Sequence, residues 1–238
     1  MNGALRRVVP PGYIEAALKV EGLTPYLMRP DELDPDTDEF RAHKALSRKR
    51  GKTEDDEARL RQLDWQQSLA LDPQLGPYIP SRYVHELIRS AATQWRKGEA
   101  VIRSLVVLQY RLPLEYEGPR DQAGLWEGGY RFSRLVVNNG QGKGAVYRTR
   151  PKFEPPWSFT APLAFDPGEL DPATLHDAVD FAQRYGIGDG RRIGYGAFSA
   201  TLTVGETFGG GVNAKSNGKV DAVEKAVHKA KVKQLTSA

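Results

Sequence analysis

Between residues 157 and 204 the hydrophobic period changes twice, and few folds satisfy both changes. WSFTAPLAF (157–165) alternates strictly, with Trp157, Phe159, Ala161, Leu163 and Phe165 on one face. A period of two is the pattern of a strand with one buried face. In DPATLHDAVDFA, Asp171 caps a helix and Pro172 occupies its first position, where proline is pre-organised. Leu175, Ala178, Val179 and Ala182 then recur at helical spacing, and Gly186 stands where a glycine cap belongs. GIGDGRRIGYGAF (186–198) places five glycines within eleven positions, and the following strand, 192–204, puts Phe198, Ala200, Leu202 and Val204 on one side. The helix must therefore fold back across the sheet through a glycine-rich turn.

The first part of the chain repeats that order on a larger scale. Residues 1–12 read as a polar arm. Residues 13–21 alternate, with Ile14, Ala16, Leu18 and Val20 opposite Glu15, Lys19 and Glu21. Residues 22–80 read as an insertion. DELDPDTDE (31–39) holds six acids, RKRGK (48–52) holds four bases, and TEDDEARLRQLDWQQSLAL reads as a helix capped by Thr53. SRYVHELIRSAATQWR (81–96) is a helix with Ser81 as cap and Val84, Leu87, Ile88, Ala91 and Trp95 as its apolar stripe. AVIRSLVVLQYRLPLEY (100–116) suits a central strand buried on both faces. YRFSRLVVN (130–138) and GAVYRTRPKF (144–153), joined by NGQGK, form a hairpin. Without insertion and hairpin the order is βαββαβ, an α+β, ferredoxin-like and RRM-like plan with both helices on one face of an antiparallel sheet. The domain spans 13–204, and 205–238 form a flexible basic tail. The opposite sheet face is then free to receive a nucleic-acid strand.

Composition narrows the function classes. With no cysteine in 238 residues, disulfide scaffolds and thiolate metal sites are excluded. No apolar run reaches the length of a membrane span, about 18 residues, and the N-terminus lacks a signal-peptide pattern; a cytoplasmic protein without membrane partners is expected. The net charge of +4 and the pI near 9.2 permit a polyanionic partner.

Two cationic segments carry the binding hypothesis. Arg148, Arg150 and Lys152 share one strand face, Arg131 and Arg134 come from the partner run, and Lys143 from the turn. Such a row suits a solvated sheet face, but cations recur in the glycine segment, which favours a phosphate track. In the glycine segment, Gly188, Gly190, Gly194 and Gly196 permit close backbone approach. Arg191 and Arg192 add charge, and Tyr195 is placed to stack on a base. The absence of G-x-x-x-x-G-K-[ST] spacing excludes a P-loop, and the glycines follow a helix and precede a strand, which excludes a dinucleotide fingerprint. The acidic stretch lacks the EF-hand pattern and reads as a solvated loop. His43, His85, His176 and His228 show no metal-binding spacing. No catalytic residue, metal or cofactor is expected from these patterns.

GDGRRIGYGAF, closing a unit of this plan, resembles the glycine-rich loop of the RAMP superfamily, the repeat-associated proteins of CRISPR effector backbones. IPSRYVHELIRSAA (79–92) is similar to that superfamily's start to its first helix. GLTPYLM (22–28) followed by RTRPKFEPPWSF also resembles uncharacterised phage and prophage proteins. The resemblance implies that repeated protomers, arranged head-to-tail as a homo-oligomer, coat single-stranded RNA or ssDNA without cleaving it. Two alternatives stay open. One is metal-dependent RNA cleavage by an aspartate among Asp31, Asp34, Asp36 and Asp38, as in some members. The other is a phage-encoded protein–protein adaptor.

Overall fold

The structure is a computed structural model that describes residues 7–31, 33–137 and 145–205. β1 (Ile14–Gly22) and β2 (Tyr26–Leu27) precede α1 (Asp38–Arg48) and α2 (Glu54–Ser68). β3 (Leu71–Asp72) and β4 (Gly76–Pro80) lead into α3 (Ser81–Ala92), a 3-10 turn and α4 (Gly98–Ser104). The short strands β5 (Leu105–Val107), β6 (Arg111–Pro113) and β7 (Glu115–Tyr116) follow, then α5 (Gln122–Glu127). β8 (Arg131–Val137) and β9 (Ala145–Phe153) pair antiparallel, and β10 (Trp157–Phe165), α6 (Pro172–Ala182) and β11 (Phe198–Val204) are the last elements among the described residues. The architecture is mixed α+β with antiparallel sheets.

The central sheet runs β11–β1–β10–β5, every neighbouring pair antiparallel, with β7 on the far end of β10. β1 sets Leu18 opposite Ala161 and Val20 opposite Phe159. All five alternating residues of β10 are buried with Ala16, Leu18 and Val20. The stripes of α3 and α6 pack side by side against this face. Asp171 caps α6 through Thr174 N, and Thr53 closes a capping box with Asp56 on α2. Two turn bonds carry the end of α6 on to Tyr185, and Gly186 then reverses the chain at φ 69°.

Several local expectations are corrected. Ser81 is the first residue of α3 and Pro80 precedes it, with no side-chain cap. Trp95 lies beyond the helix in the 3-10 turn and is 45% exposed. Residues 100–116 are not one strand: α4 ends at Ser104, and three short strands follow. An apolar run fits a buried helix as well as a strand, and periodicity alone does not separate them. The acidic stretch 31–39 is not all loop, because Thr37 accepts from Phe40 N and starts α1 at Asp38.

The open face of the central sheet is also not what an RNA-recognition platform requires. Alternation assigns it Glu15, Ala17, Lys19 and Glu21 from β1. Ser158, Thr160, Pro162 and Ala164 come from β10, and Ser199, Thr201 and Thr203 from β11. Lys19 is paired with Glu21 at 2.7 Å. This face carries no aromatic side chain on which a base could stack.

Two smaller sheets flank the core, β2–β9–β8 and β3–β4–β6. The first of these, joined to the glycine turn, builds the site.

Candidate nucleic-acid interface

The β8–β9 register sets Phe132 opposite Arg150 and Arg134 opposite Arg148. Strand alternation therefore places Phe132, Arg134, Arg148, Arg150 and Lys152 on one face. Arg131 falls on the other, where its guanidinium lies 4.7 Å over the Trp126 ring and donates to the Trp126 carbonyl. That reverse face also buries Phe153 against Tyr116 and Tyr130. Lys143, expected in the turn, lies outside the described residues.

Residues on the shared face differ in depth. Arg148 is exposed, and its side chain has no carboxylate partner among the described residues. Lys152 pairs with Glu154 at 2.6 Å and stands 6.0 Å over Phe132. Arg150 is buried, its side chain 5% exposed. It donates through Nη1 to Asp64 Oδ1 at 2.8 Å and Ser68 Oγ at 2.7 Å, and through Nε to Asp189 Oδ2 at 3.2 Å. Asp64 Oδ2 accepts from Thr149 N at 2.6 Å, satisfying a donor on the β9 edge that β8 does not reach. Arg134 donates through Nη2 to Asp189 Oδ1 at 3.0 Å, an oxygen that also accepts from Gly190 N at 2.7 Å. Arg150 thus ties α2, β9 and the glycine turn together. A buried guanidinium is tolerated only with this kind of hydrogen-bonded ionic company. A phosphate-contacting role for Arg150, and for Arg131, does not fit these positions.

The glycine turn resolves why so many glycines stand together. All five take positive φ, from 69° at Gly186 to 93° at Gly194. A Cβ at Gly188 would overlap the Leu27 carbonyl oxygen and the Tyr26 ring; one at Gly196 would overlap the Ile187 carbonyl oxygen. At Gly190 it would press on Tyr195. The close neighbour is the chain itself. Asp189 N donates to Leu27 O and Gly196 N to Pro25 O, both at 2.8 Å. Gly194 alone of the five faces open space. Arg191 and Arg192 form a 3-10 turn between Gly190 and Gly194, both exposed and without an ionic partner among the described residues. Tyr195 is half-buried, its ring 5.3 Å from Phe132 and tilted by 44°.

The hairpin face and this turn form two walls of a cleft of about 980 Å³. Asp31, one of the aspartates considered for cleavage, also lines it, together with Arg29, Arg82 and Glu86, which the sequence did not single out. Among the described residues seven arginines and three carboxylates line it. Each carboxylate is committed: Glu86 to Arg29 at 2.8 Å, Asp31 to Arg82, and Asp189 to Arg134 and Arg150. Burial works against the charge on Arg29, but the hydrogen bond and charge of Glu86 outweigh it and its pKa is raised. Burial likewise opposes Arg82, and Asp31 prevails. The arginines left over are Arg148, Arg191 and Arg192, from two separate elements.

Sequence reading missed Asp64 and Asp189. Asp189 carried a signal, a lone acid between two glycines beside an arginine pair; Asp64 sits in an ordinary helical run and carried none. The aspartates of the 31–38 region are engaged locally. Asp31 holds Arg82, Asp34 Oδ1 accepts from Asp36 N at 2.8 Å, and Asp36 and Asp38 face Arg41. Among the described residues no three His, Cys, Asp or Glu side chains converge as a metal would need. No helix among them is long and apolar enough to cross a membrane.

No protein-family model matches the chain, and no curated protein matches its sequence. It superposes on a chain in the cryo-EM structure of Type III-B Cmr-beta bound to cognate target RNA, with a TM-score of 0.50 and 12% identity. The match covers 81% of this chain, which spans 61% of the length of that one. At that identity the likeness is one of fold.

Proposed function

We propose that the protein is a RAMP-like subunit that binds single-stranded nucleic acid, RNA or ssDNA, in the cationic cleft, without cleaving it. The strand order β11–β1–β10–β5, with α3 and α6 on one face, supports a ferredoxin-like plan. The structure on which the chain superposes is that of a complex bound to cognate target RNA. The single observation that carries the reading is charge without a carboxylate partner among the described residues: Arg148, Arg191 and Arg192 converge on one cleft whose described carboxylates are already paired. Surface arginines without partners are common; three facing one concave trough between two structural elements make a site for a polyanion. The strand runs along this cleft rather than over the open sheet face, and protomers repeat head-to-tail along it.

Fluorescence anisotropy with labelled oligouridine, oligothymidine and a duplex of equal length tests this. With about four phosphates neutralised, log affinity falls against log salt with a slope of about −3 for single strands. Tighter binding to duplex than to either single strand, or no salt dependence, overturns the reading.

A further inference from the structure

Arg134 and Arg148 stand directly opposite each other across β8 and β9, on the side that lines the cleft. Like charges in register across two strands destabilise the pair, so their retention calls for a compensating group. Asp189 supplies only part of it. It engages Arg134 through a single nitrogen, Nη2, and shares its charge with Arg150 and Gly190 N. Arg148 receives nothing from it. The Nε of Arg134 is buried and has no hydrogen-bond partner. A guanidinium donor left unmet away from water is costly. Val136 and Ile193 border the same cleft, and apolar walls strengthen any charge interaction beside them.

We propose that Arg134 and Arg148 together seat one oxyanion, a single phosphate group held between their guanidinium planes, with Asp189 fixing the orientation of Arg134. Guanidinium groups are suited to this, since their N–H donors match the paired oxygens of a phosphate. Both oxygens of Asp189 are already occupied by donors, which moderates its repulsion of the anion. The seat rests on the cleft being the nucleic-acid interface and narrows it: two arginines share one phosphate instead of taking one each.

The test is a double-mutant cycle on the full chain, with R134Q, R148Q and the R134Q/R148Q pair titrated with labelled oligouridine at several salt concentrations. Each single substitution lowers the salt slope by about 0.7, and the double substitution by the same about 0.7, because one phosphate is lost in every case. Affinity losses that multiply, with a slope change of about 1.4, overturn the shared seat while leaving the cleft as interface. Singles with no effect overturn it too. If wild-type protein binds no oligonucleotide, inorganic phosphate is the second probe. A melting temperature raised by phosphate over chloride at equal ionic strength, and no longer raised in R148Q, supports the seat alone; no rise in wild type overturns it. Arg148 is exposed, and in R134Q Asp189 keeps Arg150, so circular dichroism of both variants is expected to match wild type.

Discussion

The open face of the central sheet and the cleft beside it are close neighbours with opposite chemistry. The first is small and hydroxylated, with Thr160, Thr201 and Thr203 exposed and its one lysine paired internally. The second collects seven arginines. A plan with both helices on one side leaves a sheet face free of helices; here part of that face is itself covered, with Ala17, Pro162 and Ala164 buried, and its exposed part is not where charge accumulates. Charge accumulates where a peripheral hairpin meets a turn. The difference teaches that topology offers places for a site, while the side chains choose among them.

The comparison is most sharply drawn by two arginines on one strand face. Replacing Arg150 with Ala removes the ionic partner of half-buried Asp64, leaves Asp189 with Arg134 alone, and is expected to destabilise the fold by about 3 kcal/mol. Replacing Arg148 with Ala is expected to change stability by no more than about 0.5 kcal/mol while weakening binding. Urea denaturation with anisotropy separates the two, and equal stability losses would break the distinction.

The glycines divide the same way. Gly188→Ala combines left-handed backbone with overlap on Leu27 and is expected to cost more than about 2 kcal/mol. Gly194→Ala meets open space and is expected to cost about 1 kcal/mol, from backbone strain alone. Thermal denaturation ranks them.

Binding contrasts the two regions directly. R191Q/R192Q is expected to weaken oligonucleotide affinity by about ten- to hundredfold and to flatten its salt dependence. K19A and T160A/T201A, on the open face, are expected to leave both unchanged. A loss of affinity in the threonine pair would restore the sheet face as the binding platform.

The smallest expected effect concerns pH. Burial depresses the pKa of His85 below its usual 6.5. Its folded value lies under its unfolded one, so its contribution to stability is complete above about pH 6.5 and fades as pH falls below it. The cleft's cations are arginines, which do not titrate near neutrality, and neither His85 nor any other described histidine lines it. Acidification from about pH 8 to 6 is therefore expected to lower melting temperature slightly and leave affinity constant. Affinity that climbs on acidification would move the site away from the arginines.

Much of the core was legible because it depends on local period. The alternation of Trp157 to Phe165 and the caps at Thr53 and Asp171 each report a strand or helix end within a few residues. The run from 100 to 116 was misread because buried helix and buried strand are both continuously apolar. Alternation placed Arg150 on the correct face but said nothing of depth. Its depth is set by Asp64, 86 residues away, and Asp189, 39 residues away. The open sheet face was assigned a function by analogy with its plan, and the composition of β1, β10 and β11 speaks against it.

The segment between β1 and Arg29 has a consequence of its own. Leu23 and Thr24 donate to Ala197 O, Pro25 O accepts from Gly196, and Leu27 O accepts from Asp189. Tyr26 and Leu27 also pair with Phe153 and Lys152 of β9. These few residues work as a ruler that fixes how far the turn's arginines stand from those of the hairpin. An insertion of one residue there would move one wall against the other by about 3.3 Å, so this short, largely buried segment tolerates little drift in chain length.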